Sequence, residues 1–188
     1  MSHSDLLNVG STDYFREDDN KADQAKRLAR DIGLQLAAAI DNRGRASIAF
    51  SGGSTPSLMF AALAKESVEW SKVAITLVDE RCVPLDHPRS NARLLKESLL
   101  DTLPQAPVFV PLFSPNESDE VRTQRLKAFP LPFDCVHLGM GTDAHTASFF
   151  PDAVNIAKML DPDNVDLVAT MRSESSQEQR VTWTLSAL

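Results

Sequence analysis

Residues 133–151 read FDCVHLGMGTDAHTASFFP, and they predict a buried strand that ends in a polar loop. The apolar run stops at Gly139 and Gly141, and Asp143 and His145 follow shortly afterwards. Parallel α/β sheets bind ligands at the carboxyl ends of their strands. A histidine there can act as a base near neutral pH, and a nearby carboxylate can orient its imidazole. Alternatively, the glycines form only a turn and His145 is an ordinary surface residue.

Predicted strands and helices alternate along most of the chain. Apolar residues at helical spacing predict a long helix over residues 21–41, and a buried apolar run predicts a strand at 46–50. Further strands are predicted at 73–78, 108–113, 133–138, 165–170 and 180–185, and further helices at 56–64, 90–100, 118–129 and 154–160. This alternation predicts an α/β fold, with a doubly wound, mostly parallel sheet flanked by helices in a modified Rossmann-like arrangement.

A glycine-rich loop, SGGSTP at residues 51–56, directly follows the predicted strand 46–50 and opens a helix with Pro56 in its first turn. Its glycines would let backbone N–H groups approach an anion, while hydroxyl groups and the positive helix end complete a phosphate site. A simple Ser/Thr helix cap explains the same residues equally well. The candidate binding residues are Ser51, Gly52, Gly53, Ser54 and Thr55.

A second polar block, DERCVPLDHPRSN at residues 79–91, follows the strand predicted at 73–78. The planar guanidinium group of Arg81 suits a phosphate or a hydroxyl-rich substrate. Asp79 and Glu80 could accept hydrogen bonds from hydroxyl groups of such a substrate or hold Arg81. The alternative interpretation is a solvated cluster of ion pairs on a loop.

The last predicted strand begins with Arg180. Apolar and polar residues alternate over residues 180–185, which indicates a strand with one buried face. Residues 171–179, which precede this strand, are predicted to form a polar loop. On this pattern alone, Arg180 would lie in solvent at a sheet edge.

The length and composition suit one domain over residues 1–188 with a sizeable hydrophobic core. A net charge of −7 argues against nucleic-acid binding. No apolar run approaches the roughly 18 residues of a membrane span, and the amino terminus lacks a secretory pattern, so a cytoplasmic location is expected. Cys82 and Cys135 lack metal-ligand spacing and the histidines lack paired spacing, so no metal is predicted. His137 is expected to point away from the loop chemistry.

The loop at residues 139–151, GMGTDAHTASFFP, resembles the G-x-G-x-D-G-H-x-A-S-[LF]-F-P motif of 6-phosphogluconolactonases. Their superfamily includes the glucosamine-6-phosphate deaminases. SGGSTP resembles the sugar-phosphate loop of that superfamily, and DERCVPLDHPRSN and the RVTWT run resemble two further family blocks. One position departs from the motif, because Ala144 stands where the family usually has glycine. At positive φ, an alanine there costs about 1 kcal/mol or somewhat more.

The resemblance implies hydrolysis of 6-phospho-D-glucono-1,5-lactone to 6-phospho-D-gluconate, in the oxidative pentose phosphate pathway and without a cofactor. It implies that His145 is the general base and that Asp143 orients it. Backbone N–H groups around Gly139 to Gly141 would stabilise the oxyanion. The resemblance further implies that the substrate is held by residues 51–55, Asp79, Arg81 and Arg180.

Two other readings stay open. A deaminase acting on glucosamine 6-phosphate would tend to have D-E-Y and I-A-F-N-E-P, so Arg81 and residues 146–151 favour the lactonase. A non-catalytic sugar-phosphate sensor or an inactive remnant is suggested by Ala144 and by the end of the sequence at Leu188. Relatives usually continue with a helix, a strand and a helix, and this chain is expected to lack that part.

Overall fold

A computed structural model of the chain describes residues 16–53 and 56–188. The helices are α1 (Lys21–Arg43), α2 (Pro56–Leu63), α3 (Asn91–Ser98), α4 (Asp119–Lys127) and α5 (Ile156–Met159), with short 3₁₀ turns at Trp70–Lys72 and Leu100–Thr102. The strands are β1 (Ala46–Phe50), β2 (Val73–Leu77), β3 (Asp79–Arg81), β4 (Val108–Phe109), β5 (Cys135–His137), β6 (Val168–Met171) and β7 (Arg180–Trp183). Helices and strands alternate as predicted over most of the chain.

The larger sheet is parallel and has the strand order β4-β2-β1-β5. Every residue of β1 and β2 is buried, as expected for parallel strands covered on both faces. The order places β1 and β5 side by side, with Phe50 opposite His137. The loops that leave these two strands therefore start next to each other, at the same edge of the sheet.

Helix α1 covers one face of this sheet. The Asn20 side chain accepts hydrogen bonds from the backbone N–H groups of Ala22 and Asp23 and so caps the helix start. Gly44, at a φ of 74°, ends the helix in the left-handed conformation that favours glycine. Ala29 and Leu36 lie fully buried on the inward face of α1, as the helical spacing of apolar residues predicts.

The chain also forms a second, antiparallel sheet with the order β3-β7-β6. Two predictions were wrong here. Residues 79–81, predicted as a loop, form β3, and β7 is buried along its whole length rather than on one face. The reason is that both faces of β7 are covered. Val181 and Trp183 pack in an apolar cluster, while Arg180 pairs with the buried Asp79 and the Thr182 hydroxyl donates to the Val78 carbonyl oxygen. The Trp183 indole N–H donates to the Leu77 carbonyl oxygen at 3.0 Å, which ties this sheet to the end of β2.

Several predicted elements are shorter in the structure, among them a strand and a helix. Strand β4 ends at Phe109 rather than at residue 113, because Pro111 has no N–H group for the ladder. Helix α5 is confined to Ile156–Met159, and Val154, predicted to begin it, is exposed. Among residues 16–53 and 56–188, no helix is both long and apolar enough to span a bilayer.

Candidate active site

A cavity of about 730 Å³ opens where strands β1, β2 and β5 end. Nine residues predicted from the sequence line it, namely Ser51, Gly52, Gly53, Asp79, Arg81, Gly139, Gly141, His145 and Arg180. Asp143 joins the site through its contact with His145. Ser54 and Thr55 lie outside the described residues. The structure thus brings together residues from Ser51 to Arg180, which lie 129 positions apart in sequence. The loops after β1 and β5 meet there, as expected for parallel strand ends.

His145 and Asp143 form a close pair. The His145 Nδ1 atom lies 2.5 Å from Oδ1 of Asp143, and this hydrogen bond lowers the pKa of the Asp143 carboxyl. A carboxylate at Nδ1 favours the tautomer that carries its proton there, which leaves Nε2 free to accept one. The imidazole also stacks on the Phe150 ring, with centroids 4.0 Å apart. The histidine is therefore held in position on two sides.

Gly141 makes room for this pair. A Cβ atom at Gly141 would lie 2.5 Å from both Oδ1 of Asp143 and Cε1 of His145, which is too close for any side chain. The Gly141 N–H group donates to the His145 carbonyl oxygen at 2.8 Å, so it is already used in closing the loop. The glycine therefore serves the packing of the loop, and the predicted stabilisation of an oxyanion by N–H groups around Gly139 to Gly141 stays a prediction that depends on the other N–H groups of the loop.

Ala144 lies at the tip of the same loop with a φ of 66°. This is the left-handed region, in which a Cβ atom is strained. The strain expected for an alanine at positive φ is therefore present at this residue. The pairing of Asp143 with His145 is nevertheless formed, so the alanine costs stability without preventing the arrangement of the site.

Replacing Ala144 with glycine is expected to stabilise the protein by roughly 1 kcal/mol, because glycine adopts positive φ without strain. The melting temperature should rise by about 2–4 °C for a chain of this size. Calorimetry would measure the change. The matched control is Ala38→Gly at an exposed position inside α1, which should lower stability by about the same amount. A neutral or destabilising Ala144→Gly would contradict the assignment of strain.

Asp79 and Arg180 form a buried pair at the base of the cavity. A guanidinium nitrogen of Arg180 lies 3.2 Å from Oδ2 of Asp79, and the Ser148 hydroxyl donates to the same oxygen at 2.6 Å. The guanidinium group lies 5.0 Å from the centre of the Phe150 ring. Only 11% of the Arg180 side chain is exposed, which rules out the alternative of an arginine in solvent at a sheet edge.

Glu80 binds the start of α3 rather than a ligand. Its carboxylate accepts from the backbone N–H groups of Asn91 at 2.8 Å and Ala92 at 2.7 Å and from the Ser90 hydroxyl at 3.1 Å. Burial raises the pKa of Glu80, and these hydrogen bonds oppose the rise. The solvated cluster that was the alternative for residues 79–81 is therefore absent, because Asp79 and Glu80 are both buried.

Gly52 has a steric role. A Cβ atom at Gly52 would lie 2.0 Å from the Oδ1 atom of Asn91. The Asn91 amide in turn donates to the Asp79 carbonyl oxygen at 3.0 Å, so it is fixed in place. The loop after β1 thus packs directly on the start of α3. Glycine is required at residue 52 for this close approach, whatever ligand the loop binds.

Arg81 lines the cavity from the end of β3. Its guanidinium group donates to the Arg89 carbonyl oxygen at 2.5 Å, which leaves other donors of the group available. Burial and the nearby charge of Arg180 lower the pKa of Arg81. Two arginines therefore face one cavity, as an anion-binding site requires.

Four polar residues of the cavity wall were missed by the sequence analysis. His137, predicted to point away from the loop, lines the cavity, and burial lowers the pKa of its imidazole. Asn91 lines it beside Gly52, and Lys21 and Gln24 reach it from the first turn of α1. The position of His137 near the carboxyl end of the strand predicted at 133–138 was a usable signal. No signal in the sequence indicated that Lys21 and Gln24 reach the cavity, because their position depends on how α1 packs on the sheet.

Comparison with known proteins identifies the family of this chain. The family model for glucosamine-6-phosphate isomerases and 6-phosphogluconolactonases matches residues 19–188, and the chain belongs to this family. A 6-phosphogluconolactonase of Rhizobium meliloti is 45% identical over 90% of this chain and 75% of its own length. One of Mesorhizobium japonicum is 44% identical over 87% and 71%. The crystal structure of a 6-phosphogluconolactonase from Shewanella baltica superimposes with a TM-score of 0.83 at 36% identity, covering 90% of this chain and 74% of the other. The resemblance noted in the sequence is confirmed.

Proposed function

We propose that this protein hydrolyses 6-phospho-D-glucono-1,5-lactone to 6-phospho-D-gluconate, a step of the pentose phosphate pathway. The observation that carries the proposal is the presence of the Asp143–His145 pair and of two arginines, Arg81 and Arg180, in one cavity. A lactone carbonyl is electrophilic, so the enzyme has to hold the phosphate, position a water molecule and accept its proton. Relatives named 6-phosphogluconolactonase, up to 45% identical, support the same reaction.

In the proposed mechanism, Nε2 of His145 takes a proton from water as the oxygen attacks the lactone carbonyl carbon. The carbonyl becomes an oxyanion, and the tetrahedral intermediate then breaks the bond between this carbon and the ring oxygen. The imidazolium group returns the proton to the departing ring oxygen, which becomes a hydroxyl group. Asp143 stabilises the imidazolium through Nδ1. Such general base catalysis is worth roughly 10²–10⁴-fold in rate.

The phosphate group of the substrate is assigned to Arg81 and Arg180, with the loop of Gly52 and Gly53 beside them. Guanidinium groups match the geometry of a phosphate, and glycines allow its close approach to the backbone. Binding of this remote group supplies energy that positions the lactone ring against His145. The buried pair with Asp79 keeps Arg180 in a fixed orientation.

The proposal is tested by supplying fresh lactone to the purified protein and following acid release against the spontaneous rate in buffer. We expect release well above the spontaneous rate, and no ammonia from glucosamine 6-phosphate. Ammonia release without lactone hydrolysis would favour a deaminase. Binding of 6-phosphogluconate without turnover of the lactone would indicate a sensor or an inactive member of the family.

A further inference from the structure

Three arginine side chains surround the carboxylate of Glu178. Its Oε1 atom lies 2.9 Å from a guanidinium nitrogen of Arg89, 3.7 Å from one of Arg180 and 3.8 Å from Nε of Arg81. Arg81 and Arg180 line the cavity, whereas Glu178 is not among the residues that line it. Glu178 therefore contacts the two cavity arginines from outside the cavity wall, where a bound substrate does not displace it.

The segment between β6 and β7 fixes the position of Glu178. The Ser176 hydroxyl lies 2.8 Å from the Glu178 carbonyl oxygen, to which it donates, and the Ser173 hydroxyl accepts from the Ser176 N–H group at 2.9 Å. The Ser175 hydroxyl donates to Asp152 at 2.7 Å, which anchors the turn to the chain after the 133–151 loop. Residue 178 lies two positions before the first residue of β7, so its backbone is held by the strand as well.

The contact between Glu178 and the cavity arginines is mainly electrostatic. Within the described residues, Oε1 of Glu178, Nε of Arg81 and Nε of Arg180 are buried and have no hydrogen-bond partner of good geometry. The two Nε–H donors are thus not consumed by Glu178, and its effect on them acts through charge. At separations of 3 to 4 Å in a partly buried site, a carboxylate strongly reduces the positive electrostatic potential around a guanidinium group.

The charges of this cluster are close to balance. Arg81, Arg89 and Arg180 carry three positive charges, and Asp79 and Glu178 carry two negative ones. The neighbouring carboxylate of Glu80 is occupied by the N–H groups at the start of α3. Glu80 keeps its negative charge and also acts on Arg81, so the six groups sum to zero, and removing the charge of Glu178 would leave the cluster with a net positive charge of one. A phosphate monoester, which carries close to two negative charges at neutral pH, would then bind more tightly.

We propose that Glu178 is an internal counter-ion of Arg81 and Arg180, and that its charge weakens the hold of the cavity on phosphate groups. The inference rests on the proposed function in assigning the phosphate to these arginines. The substrate and the product of this reaction carry the same phosphate group, and the cavity would hold both of them by it. Weaker phosphate binding therefore speeds the release of the product. Glu178 is a positioning residue here and does not contact the reacting atoms.

The test is the affinity for inorganic phosphate, measured by titration calorimetry without turnover. Glu178→Gln, which keeps the shape of the side chain, should lower the Kd for phosphate by about tenfold at low salt, and the difference should shrink in 0.5 M NaCl. Glu178→Asp retains the charge and should stay near the wild-type affinity. Glu174→Gln removes the same charge from an exposed position of the same segment and should have little effect.

The results of this test distinguish a failure of the counter-ion role from a failure of the proposed function. An unchanged or weaker phosphate affinity in Glu178→Gln, with the fold intact by circular dichroism, would overturn the counter-ion role and indicate that Glu178 only supports the arginines. The absence of phosphate binding in every variant would overturn it as well. Tighter phosphate binding by Glu178→Gln, in a protein that does not hydrolyse the lactone, would support the counter-ion role and contradict the proposed function. Lactone hydrolysis by the wild type, with no gain of phosphate affinity in Glu178→Gln, would support the proposed function and contradict the counter-ion role.

Discussion

His145→Gln is expected to lower kcat for lactone hydrolysis by roughly 10²–10⁴-fold, with KM changed much less. The imidazole is the proposed base, and its Nε2 atom is free because Asp143 lies at Nδ1. Glutamine has a similar size and can still donate to Asp143, but it does not accept a proton near neutral pH. Steady-state kinetics on fresh lactone, corrected for spontaneous hydrolysis, would measure the loss.

The matched control is His87→Gln. His87 lies on a loop, where its Nδ1 atom accepts from the Arg89 N–H group at 3.2 Å, and glutamine can replace that acceptor. Its kcat should stay within about twofold of the wild type, as expected for a surface substitution away from the reacting atoms. Near wild-type turnover in His145→Gln would exclude His145 as the base and make His137, which also lines the cavity, the next candidate.

Arg180→Met is expected to destabilise the protein by about 3–5 kcal/mol, because it leaves the buried carboxylate of Asp79 without its positive partner. The melting temperature should fall by roughly 10 °C. The substitution also removes a proposed phosphate ligand, so KM for the lactone should rise together with the loss of stability. Denaturant unfolding and kinetics on the folded fraction would separate the two effects.

A double variant makes this prediction sharper. Combining Arg180→Met with Asp79→Asn removes both charges and keeps an acceptor for the Ser148 hydroxyl, so most of the lost stability should return. Arg172→Met, at an exposed arginine of the neighbouring segment, should change stability by no more than about 0.5 kcal/mol. If Arg180→Met were as mild as Arg172→Met, the buried pair would not stabilise the fold.

Local patterns predicted the parallel sheet and much of the cavity wall. Strand β1 was predicted at its observed bounds, because a short apolar run between a helix end and a glycine-rich loop has few other structures available. The 133–151 loop and the loop of Gly52 and Gly53 were both assigned to strand ends, and parallel topology brings such ends to one edge. Their meeting in one cavity follows from strand order, while the catalytic and binding roles of their residues stay predictions.

Features that depend on distant pairing were not predictable. Residues 79–81 look like a polar loop, yet they form β3 because β7, about a hundred residues later, pairs with them. The same pairing buries Arg180 against Asp79, whereas its alternating neighbours indicated an exposed face. The contacts of Glu178 are likewise set by three arginines from different parts of the fold, and a lone glutamate in a polar segment gives no local sign of them.

The close approach of Gly52 to Asn91 has an evolutionary consequence. The two positions share one small volume, so a side chain can grow at residue 52 only if the side chain at residue 91 shrinks or turns away. Such turning would break the bond from Asn91 to the Asp79 carbonyl oxygen and disturb a third segment. Substitutions at these two sites should therefore be inherited jointly, and single changes should be rare among descendants that keep this architecture.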